Sequence, residues 1–247
     1  MDLGINGKRA VVAASTSGLG LASAVALAEA GCQVVINGRD QGRLDDTVPK
    51  VAGSIPVVGD LSTRAGAEAF IDHATEALGG VDILVTNAGG PPPGNFAETE
   101  IDAYAAALEL NLISMAAMCK KVVPGMQAQQ WGRIVAITST SVHTPMPNLI
   151  LSNTARSGLT SLLKTLALEV VGDGITVNTA QPGVHETKRI TDIYGGDLAE
   201  LAKGTPTGRI GDATDFGQVV GFLCSQQANY ITGVSIPVDG GRFTQLQ

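Results

Sequence analysis

The sequence predicts an α/β fold in which one parallel sheet is covered by helices on both faces. Short runs rich in valine and isoleucine alternate with longer helical patterns along the chain of 247 residues. The apolar runs are continuous, which is typical of parallel strands that are buried on both faces. Because no linker or change of composition divides the chain, we expect one doubly wound domain over residues 1–247.

Seven short runs are predicted to be the strands of this sheet. They are apolar and are bounded by glycine or polar residues. In chain order they cover residues 8–13, 33–37, 55–58, 81–86, 133–138, 175–179 and 234–238. Strict alternation with helices predicts that the sheet is mostly parallel.

Helical patterns fill the gaps between the predicted strands. They cover residues 18–30, 41–51, 64–78, 101–129, 152–171 and 212–225. The stretch at about 185–207 is different, because it is polar and contains glycine. It follows the sixth strand at the carboxyl edge of the sheet, where ligands bind in such folds, and we expect it to be a mobile substrate lid.

Composition and charge exclude several classes of protein. A net charge of −7 and the absence of a basic cluster argue against a nucleic-acid partner. Cys32, Cys119 and Cys224 are far apart in apolar contexts, which predicts buried structural thiols, no metal site and a reducing cytoplasm. We see no signal peptide and no run of about twenty apolar residues, and so expect no membrane span.

The turn after the first predicted strand carries the pattern of a dinucleotide-binding Rossmann fold. It reads Ala14-Ser15-Thr16-Ser17-Gly18-Leu19-Gly20 and runs directly into a helix. Glycines allow a tight turn there, and the helix N-terminus favours the negative charge of a diphosphate. The candidate cofactor-binding residues of this turn are Ser15, Ser17, Gly18, Leu19 and Gly20. The alternative is an ordinary glycine turn.

The end of the second strand favours NADP(H) over NAD(H). An acidic residue there would bind the ribose 2′-hydroxyl, but the sequence reads Asn37-Gly38-Arg39. The guanidinium of Arg39 suits a 2′-phosphate, although a solvated surface arginine is the alternative. Asp60, followed by Leu61, is a candidate for the adenine amino group or for a helix cap.

The chain resembles the short-chain dehydrogenase/reductase family over almost its whole length. The glycine turn, Asn87-Ala88-Gly89, Asn111, Pro182-Gly183 and the C-terminal Val238-Asp239-Gly240-Gly241 match its motifs in order. The resemblance is nearest to 3-oxoacyl carrier-protein reductases, and it implies a small carbonyl or alcohol substrate and a homo-oligomer, either a tetramer or a dimer. It also implies that Asn87, Ala88, Gly89, Pro182, Gly183 and Thr187 contact the cofactor.

The family mechanism implied by the resemblance uses a serine, a tyrosine, a lysine and an asparagine. The serine polarises the carbonyl, the tyrosine donates a proton, the lysine lowers the tyrosine pKa and binds the nicotinamide ribose, and the asparagine holds a relay water. Ser139 and Asn111 match the first and last of these.

The tyrosine and lysine positions carry different residues in this chain. Counting from Ser139, the tyrosine position is Ser152 and the lysine position is Arg156. Serine is a much weaker acid and is shorter by a ring, while arginine stays protonated and only donates. Ala14 also replaces a residue of the glycine motif, which is the milder change.

Two histidines could replace the missing acid. His143 lies in the loop after Ser139, and His185 follows Pro182-Gly183. Histidine titrates near neutrality and is therefore suited to proton transfer, although a bracing role in a loop is the alternative for both. Tyr194, in the predicted lid, could close over a substrate, with packing as its alternative.

Three functional hypotheses follow from these residues. The first is an NADP(H)-dependent oxidoreductase in which Ser139, Asn111, Ser152, Arg156 and His143 are the candidate catalytic residues. The second is a cofactor-retaining protein with a non-redox activity, such as a dehydratase or an isomerase. The third is a nucleotide sensor that has lost dehydrogenase chemistry.

Overall fold

The structure, a computed structural model, describes residues 2–194 and 198–244, without the side chains of Ile193 and Tyr194. Seven parallel strands form one sheet in the order β3-β2-β1-β4-β5-β6-β7. The strands are β1 Arg9–Val12, β2 Gln33–Gly38, β3 Ile55–Val58, β4 Ile83–Thr86, β5 Gly132–Ile137, β6 Ile175–Pro182 and β7 Ser235–Val238. The predicted doubly wound α/β fold is confirmed.

Helices cover both faces of the sheet, as predicted. In the described part of the chain they are α1 Gly18–Glu29, α2 Gln41–Asp45, α3 Arg64–Leu78, α4 Asp102–Leu108, α5 Ser114–Ala128, α6 Ile150–Val170, α7 Lys188–Tyr194, α8 Leu198–Lys203 and α9 Ala213–Leu223. Phe70, Met118 and Leu163 from α3, α5 and α6 share one apolar core. Leu27 and Phe216 from α1 and α9 belong to the core on the other face.

Two predicted helices are interrupted. The helix expected over residues 41–51 ends at Asp45, and Val48–Lys50 forms a single 3₁₀ turn instead. Pro49 lacks the N–H that an α-helix would need at this point. The helix expected over 101–129 contains a wider π turn, Glu109–Ile113, between α4 and α5. Such turns insert an extra residue and are frequent at functional sites.

The strand β6 is longer than predicted, because pairing with β7 extends it from Thr179 to Pro182. The order of the strands reverses between β1 and β4, which places a crevice at their carboxyl ends. The predicted lid forms α7 and α8, and residues 195–197 within it lie outside the described residues.

Candidate active site

A cleft of about 1230 Å³ follows the carboxyl ends of the strands. Ser17, Gly18 and Leu19 of the glycine turn line its middle, and Arg39 lines one end. Ser139, Ser152 and Arg156 line the same cleft, as do Asn87, Ala88 and Gly89. The structure therefore brings most of the predicted cofactor and catalytic residues together along one continuous cleft, with space for a dinucleotide and a small substrate.

Two asparagines hold the glycine turn from opposite sides. The N–H of Ala14 donates to Asn37 Oδ1 at 3.1 Å, and Asn87 Nδ2 donates to the Ala14 carbonyl at 3.1 Å. Ala14 has a φ of +46°, in the left-handed region, and Gly18 has a φ of +57°. Alanine tolerates that conformation at a cost of roughly 1 kcal/mol. The turn therefore keeps its shape although a motif glycine is replaced.

Gly20 is packed behind the glycine turn and does not itself line the cleft. A Cβ atom at Gly20 would lie 2.5 Å from the Ala14 oxygen and 2.7 Å from Asn87 Nδ2. Glycine is required there because α1 approaches β1 and β4 closely, so Gly20 shapes the turn from behind.

Ser15 differs from its predicted role, because its side chain points inward. It is fully buried; its Oγ donates to the Val12 carbonyl at 2.8 Å and accepts from the Asn37 N–H at 2.9 Å. Ser15 therefore ties β1 to β2. Thr16, which the sequence analysis did not single out, lines the cleft instead.

Arg39 and Arg43 line the end of the cleft beyond β2, and both are exposed. Among residues 2–194 and 198–244, neither guanidinium has a carboxylate within 4.0 Å. Leu61 and Asp60 follow β3 at the same end, and Asp60 Oδ1 accepts from the Ser62 N–H at 3.0 Å. This end therefore presents two guanidinium groups, the carboxylates of Asp40 and Asp60 and one apolar side chain.

Ser139 and Ser152 face the other end of the cleft. The backbone N–H of Ser141 donates to Ser139 Oγ at 3.1 Å, which leaves the Ser139 hydroxyl hydrogen free to point elsewhere. Ser152 is 7% exposed and lies one helical turn before Arg156 on α6. Both hydroxyls are available to a ligand that enters the cleft.

Arg156 is anchored at the carboxyl end of β5. Its Nη1 donates to the carbonyls of Ile137 at 2.9 Å and Thr138 at 3.2 Å. Burial, followed by repulsion from Arg189, lowers the pKa of Arg156 to about 10. Arg156 therefore remains a cation at neutral pH and places a fixed positive charge at this end of the cleft.

Pro182, Gly183 and Thr187 line the cleft after β6. A Cβ atom at Gly18 would lie 3.5 Å from Thr187 Cγ2, so the start of the lid segment covers the glycine turn. A Cβ atom at Gly183 would lie 2.6 Å from the Cβ of Asp239, which explains the need for glycine where β6 leaves the sheet.

Asn111 and His143 do not line the cleft. Asn111 is fully buried in the π turn, and neither polar atom of its side chain has a hydrogen-bond partner among the described residues. His143 lines a separate cavity of about 550 Å³ between α6 and β7. Its ring packs 4.8 Å from that of Phe243, which favours the bracing role over the catalytic one.

His185 lies at the cleft, in contrast to His143. Its ring is buried, its Nδ1 lies 3.4 Å from the Gly183 carbonyl, and it packs edge-on against Phe216 with ring centroids 5.2 Å apart. Burial lowers the pKa of His185, so the ring is neutral at pH 7. Sequence position alone did not separate the two histidines.

Arg189, on α7, was missed in the sequence analysis. Its guanidinium crosses the cleft, where Nη1 donates to the Gly90 carbonyl at 3.2 Å and Nη2 to the Pro91 carbonyl at 3.0 Å. Burial lowers the pKa of Arg189 as well. The one signal in the sequence is the cationic pair Lys188-Arg189 at the start of the polar, glycine-containing stretch that is predicted to be a lid.

The three cysteines lie away from this chemistry. All are free and buried, and burial raises the pKa of Cys32 and of Cys119 to about 12. Over the described part of the chain, no group of three or more potential ligands is arranged to hold a metal ion. Within the same part, no helix combines the length and apolarity that crossing a bilayer requires.

A nicotinamide dinucleotide phosphate fits these residues. A Cβ atom at Gly20 would collide with the turn, and the left-handed φ of Gly18 favours glycine there. Ser17, Gly18 and Leu19 line the cleft, and Arg39 and Arg43 have no carboxylate partner among the described residues. The lining at the opposite end includes the hydroxyls of Ser139 and Ser152 and small residues, which suit a nicotinamide ring and a ribose. The same end also carries the cationic side chains of Arg156, Lys188, Arg189 and Arg242.

Known proteins share this sequence and architecture. A model of the family described as enoyl-(acyl carrier protein) reductase matches residues 13–242. Dehydrogenase/reductase SDR family member 4 of Sus scrofa is 34% identical over 253 residues, covering 98% of this chain and 89% of the relative.

Solved structures agree with that match. L-sorbose reductase of Gluconobacter frateurii, complexed with NADPH and L-sorbose, has 32% identity and a TM-score of 0.92 over 100% of both chains. A 7α-hydroxysteroid dehydrogenase complexed with NADH has 27% identity and a TM-score of 0.92, covering 100% of this chain and 98% of the other. One cleft carries both the dinucleotide turn and Ser139, and the relatives match this chain nearly end to end. The chain therefore belongs to the short-chain dehydrogenase/reductase family.

Proposed function

We propose that the protein is an NADP(H)-dependent oxidoreductase that interconverts a small carbonyl compound and its alcohol. The observation that carries this proposal is the single cleft that joins Arg39 at one end to Ser139 and Arg156 at the other. An oxidoreductase of this family needs both ends in one cleft, because the cofactor spans the distance between phosphate recognition and chemistry.

The residues that would hold the cofactor follow the cleft from end to end. Arg39 and Arg43 bind the 2′-phosphate, Asp60 and Leu61 flank the adenine, and the turn at Ser17-Gly18-Leu19 binds the diphosphate. Small residues at Asn87-Ala88-Gly89, with Arg156, take the nicotinamide ribose, and Pro182, Gly183 and Thr187 take the ring. When bound, the nicotinamide supplies or accepts the hydride.

The preference for NADP(H) rests mainly on Arg39. One structural neighbour carries NADPH and another carries NADH, so the family alone does not set the cofactor. Arg39 takes the position where an acid would select NAD(H), and its exposed guanidinium faces the cleft. A planar guanidinium binds a phosphate with two parallel hydrogen bonds.

Ser139 and Ser152 orient the substrate carbonyl in this proposal. Because Ser139 Oγ already accepts from the Ser141 N–H, its own hydrogen is available for the carbonyl oxygen. Ser152 offers a second hydroxyl, and the charge of Arg156 stabilises negative charge that develops on the oxygen. His143 then braces its loop, and Asn111, whose side-chain polar atoms have no partner among the described residues, keeps the proposed role of holding a relay water.

Proton transfer to the substrate oxygen is the step that the loss of the family's tyrosine and lysine should slow. Serine is a poor acid, and the buried guanidinium of Arg156 does not release its proton near pH 7. A positioned general acid contributes about 10²–10⁴-fold to rate, so reduction is expected to be slow but measurable. His185, neutral and at the cleft, is the residue best placed to relay a proton from solvent.

A non-redox or sensor function is the second candidate, and the Ser152 and Arg156 pair favours it. Both alternatives retain the cofactor site and do not depend on the tyrosine that Ser152 replaces. The discriminating experiment is NADPH oxidation with a panel of 3-oxoacyl thioesters, keto sugars and simple ketones. The oxidoreductase proposal predicts turnover above background with at least one class. Tight NADPH binding with no turnover across the panel would favour the second candidate.

We also propose that the protein is a homo-oligomer. Leu168 near the end of α6 is 70% exposed, Val171 directly after α6 is 50% exposed, and Tyr230 is fully exposed. Exposed apolar side chains mark an interface where they form a contiguous patch, which is what this proposal requires of them. Light scattering on the eluted protein should give a mass that is a multiple of 25.2 kDa. A monomer at micromolar concentration would contradict this.

A further inference from the structure

The half of the cleft that would hold the substrate carries an excess of positive charge. We define this substrate half by the lining residues from position 137 onward. Its cationic side chains are Arg156, Lys188, Arg189 and Arg242, and its carboxylate is that of Asp239. If the substrate were a neutral ketone or sugar, the cofactor would be the only ligand able to balance this excess.

The carboxylate of Asp239 does not neutralise this charge. Its Oδ1 accepts from the Gly241 N–H at 3.0 Å and its Oδ2 from the Phe243 N–H at 2.6 Å, so both oxygens serve the C-terminal turn. Lys188 is paired with Asp192 at 2.7 Å on the same helix. The charge that remains in the substrate half is that of the arginines.

Arg156 and Arg189 are the two arginines held in fixed positions. Each donates to two backbone carbonyls, from β5 and from the loop after β4 respectively. Neither has a carboxylate within 4.0 Å among the residues that the structure describes. Backbone carbonyls orient a guanidinium but do not balance its charge, and each group retains further N–H donors.

The replacement of tyrosine by Ser152 opens a path to Arg156. Ser152 precedes Arg156 by one helical turn on the same face of α6, and its side chain lacks a ring that would stand between Arg156 and the cleft. Gly90 similarly leaves room for Arg189, since a Cβ atom there would collide with its guanidinium. Small residues therefore give ligands access to both cations.

We propose that the substrate carries an anionic group, a carboxylate or a phosphate, that binds between the guanidinium groups of Arg156 and Arg189. The repulsion that lowers the pKa of Arg156 in the presence of Arg189 is relieved by such a ligand. This inference rests on the proposed oxidoreductase function, because that function assigns the substrate to this half of the cleft. The substrate class is then an oxo acid or an oxo phosphate and its alcohol.

The cofactor diphosphate is the competing counter-ion. The proposed donors to the diphosphate are at the glycine turn after β1, whereas the guanidinium of Arg189 is held by the Gly90 and Pro91 carbonyls in the loop after β4. This separation favours the substrate as the ligand of Arg189. A variant of Arg189 distinguishes the two, because it should change substrate discrimination and leave NADPH affinity unchanged.

The kinetic test compares acids with neutral molecules of the same shape. Acetoacetate is paired with acetoacetamide, and dihydroxyacetone phosphate with dihydroxyacetone, each with NADPH. The wild-type enzyme should prefer the anion of at least one pair in kcat/KM. Arg189→Gln should reduce that preference by about 10- to 100-fold, the contribution of hydrogen bonds to a charged group. Which pair responds identifies carboxylate or phosphate.

Two further variants control this test. Arg189→Lys keeps the positive charge and should keep most of the preference, which separates charge from the packing of α7. Lys50→Gln removes an exposed cation outside the cleft and should change nothing. Equal preference in wild type and Arg189→Gln would overturn the proposal, as would a loss of NADPH affinity in Arg189→Gln with discrimination intact.

A binding measurement separates failure of this inference from failure of the proposed function. Calorimetric titration with 3-methylbutanoate and 3-methylbutanamide, which cannot be reduced, reports the anion site without turnover. Binding of the acid but not the amide, lost in Arg189→Gln, would support the anion site even if no carbonyl is reduced. Turnover without anion preference in either assay would leave the oxidoreductase function intact and refute the anion site.

Discussion

Replacing Gly20 by alanine tests how the cofactor turn is built. The added Cβ would lie 2.5 Å from the Ala14 oxygen and 2.7 Å from Asn87 Nδ2. Both distances are below van der Waals contact, and the two atoms are hydrogen-bonded to each other at 3.1 Å. The methyl group must therefore break this bond or push α1 away from β1.

The expected loss of stability follows from these two effects. Overpacking of a tight site costs about 1–3 kcal/mol, and a lost hydrogen bond adds about 1 kcal/mol. We expect Gly20→Ala to lower the free energy of unfolding by about 2–4 kcal/mol, which lowers Tm by about 4–16 °C in a domain of this size. NADPH affinity should fall about tenfold or more, because the displaced turn carries the diphosphate donors.

A matched control isolates the steric effect from the change of residue type. Gly125 lies within α5 and is exposed, and nothing lies within 4 Å of a Cβ built there. Gly125→Ala should raise stability by about 0.5–1 kcal/mol and leave NADPH binding unchanged. The assays are thermal unfolding and NADPH fluorescence titration. If Gly20→Ala behaves like Gly125→Ala in both assays, the inference that α1 closely approaches the turn at Gly20 is wrong.

Three further predictions concern strain, pH and chemistry. Ala14→Gly should raise stability by roughly 1 kcal/mol in thermal unfolding, because Ala14 has a φ of +46°, and a fall would contradict the strain. Burial alone would raise the pKa of Asp82, but the hydrogen bonds with Arg9 outweigh burial and lower that pKa below 3.8. The stability that the Arg9–Asp82 pair provides is therefore complete above about pH 4 and is lost as pH falls further. Asp82→Asn should therefore cost about 1.5–3 kcal/mol at pH 7 and remove that part of the acid dependence, and an unchanged acid profile would refute the assignment. Ser152→Tyr combined with Arg156→Lys should raise carbonyl reduction by about 10²–10⁴-fold if the cleft is otherwise that of a conventional family member, whereas no gain would indicate a site adapted to another reaction.

The strands and the cofactor turn were predictable because their signals are local. Continuous valine and isoleucine runs specify buried parallel strands, and the glycines between β1 and α1 specify the turn. The interruptions were harder to predict. Pro49 is visible in the sequence but lies inside a predicted helix, and the π turn around Asn111 has no periodicity of its own.

The orientation of individual side chains was not predictable from position in a motif. Ser15 lies within the turn yet points into the sheet, because the Val12 carbonyl and the Asn37 N–H bind its hydroxyl. His143 follows Ser139 closely but turns into a separate cavity against Phe243. Arg189 reaches the loop after β4, about a hundred residues away in sequence. Each outcome depends on contacts between distant segments, which one sequence does not reveal.

The measurement that tests the central claim most directly is the affinity of the protein for NADPH and for NADH, in wild type and in Arg39→Gln. The cleft has the exposed guanidinium of Arg39 after β2, where an acid would select NAD(H). We therefore predict that the wild-type protein binds NADPH more tightly than NADH. Loss of the charged contact should weaken NADPH binding by about 10- to 100-fold and leave NADH binding unchanged. Binding of neither nucleotide by the wild-type protein would contradict the whole account, and tight NADPH binding that is insensitive to Arg39 would contradict the assignment of the phosphate end.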